Sequence, residues 1–145
     1  MEKQVKYNCI KKLKEQGFPI IIVAAVEESE AVANACKENG IVVSAICDNI
    51  KEKSQNSFCG FEVIHTPTLP ERFPKARFII TSQHIQDCVE QLTSLGYDEF
   101  YSPLELLENY DVEKYKHHIS NLYLQARISV CKKSHKAYLG DEQKI

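Results

Sequence analysis

The sequence predicts a single α/β domain in three layers, with a mostly parallel β-sheet between helices. One theme occurs three times along the chain: an amphipathic stretch ends at a glycine, and an apolar run follows. The three glycines are Gly17, Gly40 and Gly96. A glycine just past the last helical turn supplies the left-handed cap of a helix. Helices alternating with buried strands are typical of α/β architecture.

Several apolar runs are predicted to be strands of this sheet. Residues 19–24 and 41–47 are rich in β-branched side chains and lack polar alternation, so both strands are expected to be buried on both faces. Residues 77–81 form another compact strand, and residues 97–101 follow the third glycine. Residues 58–64 are predicted to form a short strand or a hairpin.

Apolar residues spaced three and four apart predict helices within residues 5–13, 31–39 and 85–95. Ser82 is the predicted N-cap of the third helix, because its hydroxyl can accept a bond from an unpaired amide of the first turn. Three prolines between residues 67 and 74 leave room for only one helical turn, at residues 69–72. Residues 104–107 are expected to form a further short helix.

A long C-terminal helix is predicted from residue 112 to about residue 138. Its apolar stripe consists of Tyr115, Ile119, Leu122, Tyr123, Ala126 and Val130. We therefore divide the chain into an α/β domain at residues 1–110 and a C-terminal helix and tail at residues 111–145. The stripe has three candidate partners: the sheet of the same chain, a downstream catalytic domain, or a second copy in a homodimer.

Composition excludes several classes of protein. The 145 residues are 43% hydrophobic and 26% charged with a net charge of −2, which indicates a globular domain. The apolar runs are far shorter than the roughly 20 residues of a membrane span, so no membrane association is expected. The six cysteines form no Cys-x-x-Cys pair, which predicts reduced thiols and a cytoplasmic protein. The basic excess after residue 110 is interpreted as an exposed helix face, so no nucleic-acid partner is expected.

No metal site is predicted from the histidines. His117 and His118 are adjacent, and neighbouring side chains on a helix point about 100° apart. His135 lies too far along the same predicted helix to share an ion with either of them.

The candidate ligand site is the edge where the predicted strands end. In doubly wound sheets, ligands bind outside the carboxyl ends of the strands, which directs attention to the turns after residues 23, 47 and 80. The first of these turns normally carries Gly-x-Gly-x-x-Gly, whose glycines let the backbone approach a pyrophosphate. Here Ala24 and Ala25 still allow a tight turn, but all five glycines lie elsewhere. Glu27, Glu28 and Glu30 suit the first turn of a helix and would repel a phosphate.

Polar residues follow the other two strands. Asp48 ends the second strand about 20 residues beyond the first turn, where an acidic residue can bond a ribose 2′-OH. Asp48 and Asn49 also suit an ordinary strand-ending turn. His84 is either an acid or base or an ordinary surface residue. No catalytic residue is predicted, and the candidate ligand-binding residues are Ala24, Ala25, Glu27, Asp48, Asn49, Thr81, Ser82 and His84.

Four segments carry a family resemblance. They are Pro-Ile-Ile-Ile-Val-Ala-Ala from residue 19, Ile-Val-Val-Ser-Ala-Ile-Cys-Asp-Asn from residue 41, Phe-Cys-Gly-Phe-Glu-Val-Ile from residue 58 and Phe-Ile-Ile-Thr-Ser from residue 78. Roughly residues 18 to 102 resemble a Rossmann-like module of bacterial polysaccharide-biosynthesis proteins, found beside sugar acyltransferase, methyltransferase or radical-SAM domains. The positions that match its pattern are Asp48, Asn49, Gly60, Val63 and Ser82.

The resemblance implies a site for NAD, CoA or a nucleotide sugar, and a place in front of a catalytic domain. Residues 24–30 depart from the pattern of the module, which opposes nucleotide binding. We therefore predict a non-catalytic Rossmann-like module with a degenerate nucleotide-binding loop, acting as an accessory domain of a carbohydrate-processing protein. Two alternatives stay open: an enzyme dependent on NAD or a nucleotide sugar with an atypical loop, and a dimerisation or assembly domain.

Overall fold

A computed structural model describes residues 5–6, 10–82 and 84–107 of the chain. The predicted long helix at residues 112–138, its apolar stripe and the three histidines beyond residue 116 lie outside these described residues. The domain boundary at residue 110 and the proposed partners of the stripe stay predictions.

The described residues form one six-stranded sheet in which every strand pair is parallel. Its strands are β1 (Val5–Lys6), β2 (Ile20–Val23), β3 (Ala45–Asp48), β4 (Val63–His65), β5 (Arg77–Ile80) and β6 (Phe100–Tyr101). Their spatial order is β1-β6-β5-β2-β3-β4. The predicted α/β fold with a parallel sheet is confirmed.

The described residues also form five α-helices and two 3-10 turns, of which all but the last helix lie between strands. The helices are α1 (Ile10–Lys14), α2 (Glu27–Glu38), α3 (Leu69–Arg72), α4 (Ile85–Ser94) and α5 (Leu104–Leu107), and the 3-10 turns are Lys51–Gln55 and Thr66–Thr68. The single helical turn predicted between the prolines is α3. Every described helix is too short or too polar to span a lipid bilayer.

The order of the five strands from β2 to β6 is that of a doubly wound sheet. The chain runs outward from β2 through β3 to β4, and then returns to the other side of β2 as β5. β2 and β5 pair in parallel from Ile20 beside Arg77 to Val23 beside Ile80. The order therefore reverses between β2 and β5, and the carboxyl ends of these two strands form the switch point where such sheets bind ligands.

Alternate strand residues pack against helices on opposite faces of the sheet. Ile20 and Ile22 of β2 belong to one core cluster, which also contains side chains of α1, α2 and α5. Ile21 and Val23 belong to the other, which contains side chains of α3 and α4. Burial on both faces explains why β2 reads as a continuous apolar run, and it gives the predicted three layers.

The structure corrects the predicted starts of two elements. Val5 and Lys6 are not the start of the first helix; they pair in parallel with β6, and the Val5 side chain is buried. The run after Gly40 enters the sheet only at Ala45, and Val42 is 81% exposed. A two-residue strand is too short to show a period of two, so pattern alone favoured a helix for Val5.

A tight hairpin turn precedes β4. Phe58 and Phe61 exchange two backbone hydrogen bonds of 2.9 Å across it. Cys59 has φ of 54° and Gly60 has φ of 82°. Two central residues with positive φ define a type I′ turn, which matches the twist of the flanking strands.

At the amino end of β5, Arg77 joins this strand to α1. Its Nε donates to the carbonyl oxygen of Phe18 at 2.8 Å, and its Nη1 donates to those of Lys12 and Glu15 at 3.2 and 3.3 Å. A guanidinium at the carbonyl end of a helix is favourable because it bonds carbonyls that the helix leaves unpaired. A Cβ on Gly17 would lie 3.2 Å from the Arg77 guanidinium carbon, so glycine makes room for this cap.

Candidate functional site

The turn after β2 has a left-handed residue and contains no glycine. Ala24 follows β2 directly and has φ of 81°, in the left-handed region that favours glycine. Aligning Ala24 with the first glycine of Gly-x-Gly-x-x-Gly places Val26 and Ser29 at the other two. The first glycine serves the tight turn, and Ala24 makes the same turn at a cost of roughly 1 kcal/mol or more.

Val26 and Ser29 replace the two glycines that matter for a ligand. Val26 is the N-cap of α2 in an extended conformation, so a branched side chain stands where the second glycine would admit a pyrophosphate. Ser29 is fully buried, at the position where the third glycine permits close packing of helix on strand. Its Oγ donates to the carbonyl oxygen of Ala24 at 2.5 Å and accepts from the Val26 amide at 3.4 Å.

Two hydroxyls join the loops on either side of the switch point. Ser29 Oγ lies 2.8 Å from Thr81 Oγ1, and Thr81 Oγ1 lies 2.5 Å from the carbonyl oxygen of Val23. Both side chains have no exposed surface. The Thr81 amide also donates to the Val23 carbonyl, at 3.3 Å. The loops after β2 and β5, which separate to admit a ligand in doubly wound sheets, are therefore tied to each other here.

Both carboxylate oxygens of Asp48 accept hydrogen bonds from backbone amides of the surrounding turns. Its Oδ2 accepts from the Ala25 amide at 2.8 Å, and its Oδ1 accepts from the Ile50 amide at 2.8 Å. The residue is only 7% exposed. Charge-assisted bonds to backbone amides are strong, so Asp48 holds the turn after β2 against the turn after β3. The acid predicted to bind a ribose is present but is already bonded.

Lys53 was missed by the sequence analysis and completes this arrangement. Its Nζ donates to the Ala25 carbonyl at 2.9 Å and lies 3.4 Å from Asp48 Oδ2. The ammonium therefore neutralises the carboxylate and bonds the peptide on the other side of Ala25. The sequence gives no sign of this role, because a lysine in a polar loop is common. The contacts of Lys53 with Ala25 and Asp48 arise only when the 3-10 turn at Lys51–Gln55 folds back toward β3.

Asn49 faces away from this centre. Its side-chain amide donates to Gln91 Oε1 at 3.0 Å, and the Gln91 amide donates back to Asn49 Oδ1 at 2.7 Å. Gln91 belongs to α4, so this reciprocal pair joins the loop after β3 to the helix that follows β5. Both predicted polar residues of the second turn are thus engaged within the protein.

Ser82 does not cap α4 as predicted. The N-cap is His84, without a side-chain bond to the helix, and Ser82 Oγ instead accepts from the His84 amide at 3.0 Å. Burial raises the pKa of the Cys88 thiol, and a hydrogen bond with Ser82 partly opposes the shift. Ser82 therefore forms a local turn with His84 before α4 and does not cap the helix. His84 is exposed at this corner.

Burial also governs the thiol under the site. It raises the pKa of Cys47, which lies on β3 next to Asp48, to about 12, although a hydrogen bond with Thr66 acts in the opposite direction. The thiol of Cys47 is therefore protonated at neutral pH and is a core group rather than a nucleophile. Among the described residues, no three histidine, cysteine, aspartate or glutamate side chains are grouped closely enough to bind a metal ion.

The structure brings half of the predicted residues into one network. Ala24, Ala25, Asp48 and Thr81 are joined directly or through Ser29 and Lys53. The other predicted residues lie around this network. Glu27 is exposed in the first turn of α2, Asn49 pairs with α4, and Ser82 and His84 begin the approach to α4.

Comparison with known proteins identified no relative of this chain. No family model, no curated protein and no solved structure matches this chain.

Proposed function

We propose that this chain is a non-catalytic Rossmann-like module whose nucleotide-binding loop is degenerate. It would serve as an accessory domain of a bacterial carbohydrate-processing protein. The observation that carries the proposal is the double engagement of Asp48, which bonds the Ala25 amide at 2.8 Å and is neutralised by Lys53. A carboxylate used in this way supports the loop of the domain itself in place of a ribose.

Two further features support a cleft without a dinucleotide. Val26 occupies the position that must be glycine for a backbone to approach a pyrophosphate. The buried Ser29–Thr81 contact ties together the two loops between which the ligand would lie. The carbohydrate context depends on the resemblance of the four sequence segments alone, and the attachment to a downstream catalytic domain depends on it as well.

A nucleotide-dependent protein with an atypical loop is the second candidate. Ala24 favours it, because its φ of 81° retains the turn that normally precedes a pyrophosphate. NAD, CoA and nucleotide sugars are then the cofactors or substrates to consider.

A thermal-shift screen of the purified chain against NAD(H), NADP(H), CoA, S-adenosylmethionine and nucleotide sugars separates the two candidates. A ligand at 100 times its Kd stabilises the native state by about 2.7 kcal/mol, which raises Tm by several degrees. The degenerate module gives no such shift with any of them. A clear shift with one nucleotide, accompanied by a low-micromolar Kd in calorimetry, would contradict our proposal.

Asp48→Asn tests the same assignment from the protein side. Because Asp48 serves the fold, we expect the substitution to lower the free energy of unfolding by about 2 kcal/mol, the scale of hydrogen bonds to a charged group. Urea denaturation measures this loss. The control is Asp87→Asn, at an exposed position of α4, which should change stability by about 0.5 kcal/mol or less. A carboxylate reserved for a ligand would give an Asp48→Asn protein as stable as the control.

A further inference from the structure

A groove lies at the amino ends of the strands, away from the edge that holds the candidate site. Its volume is about 470 Å³, which is within the range of small-molecule sites. Its lining includes Ile20 at the start of β2 and Arg77 at the start of β5. Phe18 and Val42, which are 45% and 81% exposed, give it an apolar side. No residue of the degenerate loop lines this groove, so what it binds is independent of the proposed function.

Arg77 brings a buried cation to the groove. The residue is only 8% exposed, and a guanidinium stays protonated in proteins. Buried charges are normally paired with an opposite charge. Among the described residues, however, no carboxylate forms an ion pair with Arg77. The three carbonyl oxygens that accept its hydrogen bonds carry only partial charges, so the guanidinium has no counter-ion.

One nitrogen of this guanidinium still has donors to offer. Nε and Nη1 donate to the three backbone carbonyls described above, whereas Nη2 donates to no acceptor within the described part of the chain. Nη2 is also not one of the described buried atoms that lack a partner, so it keeps contact with solvent. Gly17, which lines the groove too, has no side chain to cover the guanidinium. A ligand can therefore reach Nη2 of Arg77 without breaking any bond to α1.

We infer that this groove is a binding site for a small organic monocarboxylate with an apolar body. Its carboxylate accepts charge-assisted hydrogen bonds from Nη2 of Arg77 and supplies the missing counter-ion. Its apolar body lies against Phe18 and Val42 and removes their exposed surface from water. Lys75 Nζ lies 5.7 Å from the centre of the Phe18 ring, which places a further cation beside the groove.

Charge distinguishes this groove from a neighbouring one that Arg77 also lines. The neighbouring groove, of about 650 Å³, is lined by two cations and three carboxylates: Lys12, Arg77, Glu15, Asp98 and Glu99. The first groove is lined by two cations and one carboxylate: Lys14, Arg77 and Glu15. An anion is attracted to the first groove and repelled by the second, so the proposed ligand lies on the side of Val42.

Titration of the full chain with phenylacetate, followed by ¹H–¹⁵N NMR, tests the site. We expect the Nε–H resonance of Arg77 and the backbone amides of Phe18 and Val42 to shift together and to saturate. The Ala24 amide, at the other end of β2, is the reference that should not move. Phenylacetamide has the same body without the charge, and acetate has the charge without the body. Each should bind more weakly than phenylacetate by a factor of about ten or more.

Phe18→Ala is the deciding variant. Arg77 bonds the backbone carbonyl of Phe18, so removal of the ring leaves the contacts between Arg77 and α1 in place. We expect the Kd for phenylacetate to rise about tenfold. Ile50→Ala is the matched control, because it truncates another exposed apolar side chain outside the groove and should leave the Kd unchanged. Arg77→Lys is less decisive, since it also removes bonds that hold α1.

Three results would overturn the inference. The first is the absence of a saturable shift with phenylacetate. The second is an equal Kd for phenylacetate and phenylacetamide, or for the wild-type chain and Phe18→Ala. The third is a shift confined to the amides of Asp98 and Glu99, which would place the ligand in the neighbouring groove. None of these results bears on nucleotide binding at the carboxyl ends of the strands.

Discussion

At the scale of single residues, one alanine shows how this loop differs from a nucleotide loop. Ala24 holds φ of 81° in the turn after β2, and a Cβ in the left-handed region costs about 1–2 kcal/mol. Its amide bond to the Cys47 carbonyl at 2.6 Å and the Ser29 contact to its carbonyl hold it there. The turn therefore has a left-handed backbone that glycine would adopt without strain.

Ala24→Gly should therefore stabilise the protein. We expect the free energy of unfolding to rise by about 1 kcal/mol, because relief of the strained φ outweighs the entropy that glycine adds to the unfolded chain. Chemical denaturation in urea measures the change. Ala25→Gly, at the buried neighbour without a positive φ, should lower stability by a similar amount. A loss of stability in Ala24→Gly would show that the turn is not strained.

Two buried thiols make stability depend on pH. Burial raises the pKa of Cys36 and of Cys47 from 9.0 to about 12. The unfolded chain loses these protons at lower pH than the folded protein does, so their contribution is fully present below pH 9 and decreases as pH rises above it. Between pH 9 and 10 each thiol should lower the free energy of unfolding by about 1 kcal/mol, because the thiol of the unfolded chain is only partly ionised over this range.

Urea denaturation at pH 8, 9 and 10 checks this slope. Cys36→Ala should make the slope less steep, because one of the two fully buried thiols among the described residues is then absent. Cys59→Ala is the control, since Cys59 is exposed and its pKa is raised less strongly by burial. An unchanged slope in Cys36→Ala would contradict the assignment.

At the scale of elements, the hairpin turn before β4 depends on two central residues with positive φ, Cys59 and Gly60. Gly60→Ala should lower stability by about 1 kcal/mol, because alanine is strained at φ of 82°. Cys59→Asn should preserve or raise stability, because asparagine favours the first central position of a type I′ turn. Thermal unfolding compares both variants with the wild-type chain, and equal Tm values for all three would exclude a type I′ turn.

The same scale shows what sequence could and could not predict. β2 and β5 were predicted because burial on both faces leaves continuous apolar runs at Ile20–Val23 and at residues 78–80. The strand at Val5–Lys6 was missed because two residues carry no period. Lys53 was missed because its role arises from a tertiary fold-back, and Ser82 was misplaced because the first residues before α4 form a turn of their own.

At the scale of the whole molecule, the two core clusters lie on opposite faces of one sheet. The buried residues of the described chain run from Val5 to Leu106. The edge that was predicted from the carboxyl ends of the strands is also the edge where the internal network lies. The ends of the strands therefore indicated where to look, whereas the contacts of Asp48, Thr81 and Lys53 required the structure.

A chain of residues 1–110 should consequently fold by itself. We expect cooperative urea unfolding with a midpoint close to that of residues 1–145, because both core clusters lie before residue 107. Sedimentation of the two chains at matched concentration examines the dimer alternative at the same time. A dimer of 1–145 and a monomer of 1–110 would assign assembly to the C-terminal segment, and a non-cooperative 1–110 chain would contradict the proposed boundary.

The Ser29–Thr81 contact has a consequence for proton order. The two hydroxyls have two protons between them but take part in three hydrogen-bonding contacts: Thr81 with the Val23 carbonyl, Ser29 with the Ala24 carbonyl, and the two hydroxyls with each other. One of the three contacts therefore has no hydroxyl proton at any time: when Ser29 donates to Thr81, the Ala24 carbonyl receives none, and when Thr81 donates to Ser29, the Val23 carbonyl receives none. The direction of the local dipole reverses between them without movement of a heavy atom. The hydroxyl pair at the switch point therefore has two opposite proton arrangements. Thr81→Val would remove one hydroxyl and leave Ser29 to donate to the Ala24 carbonyl alone.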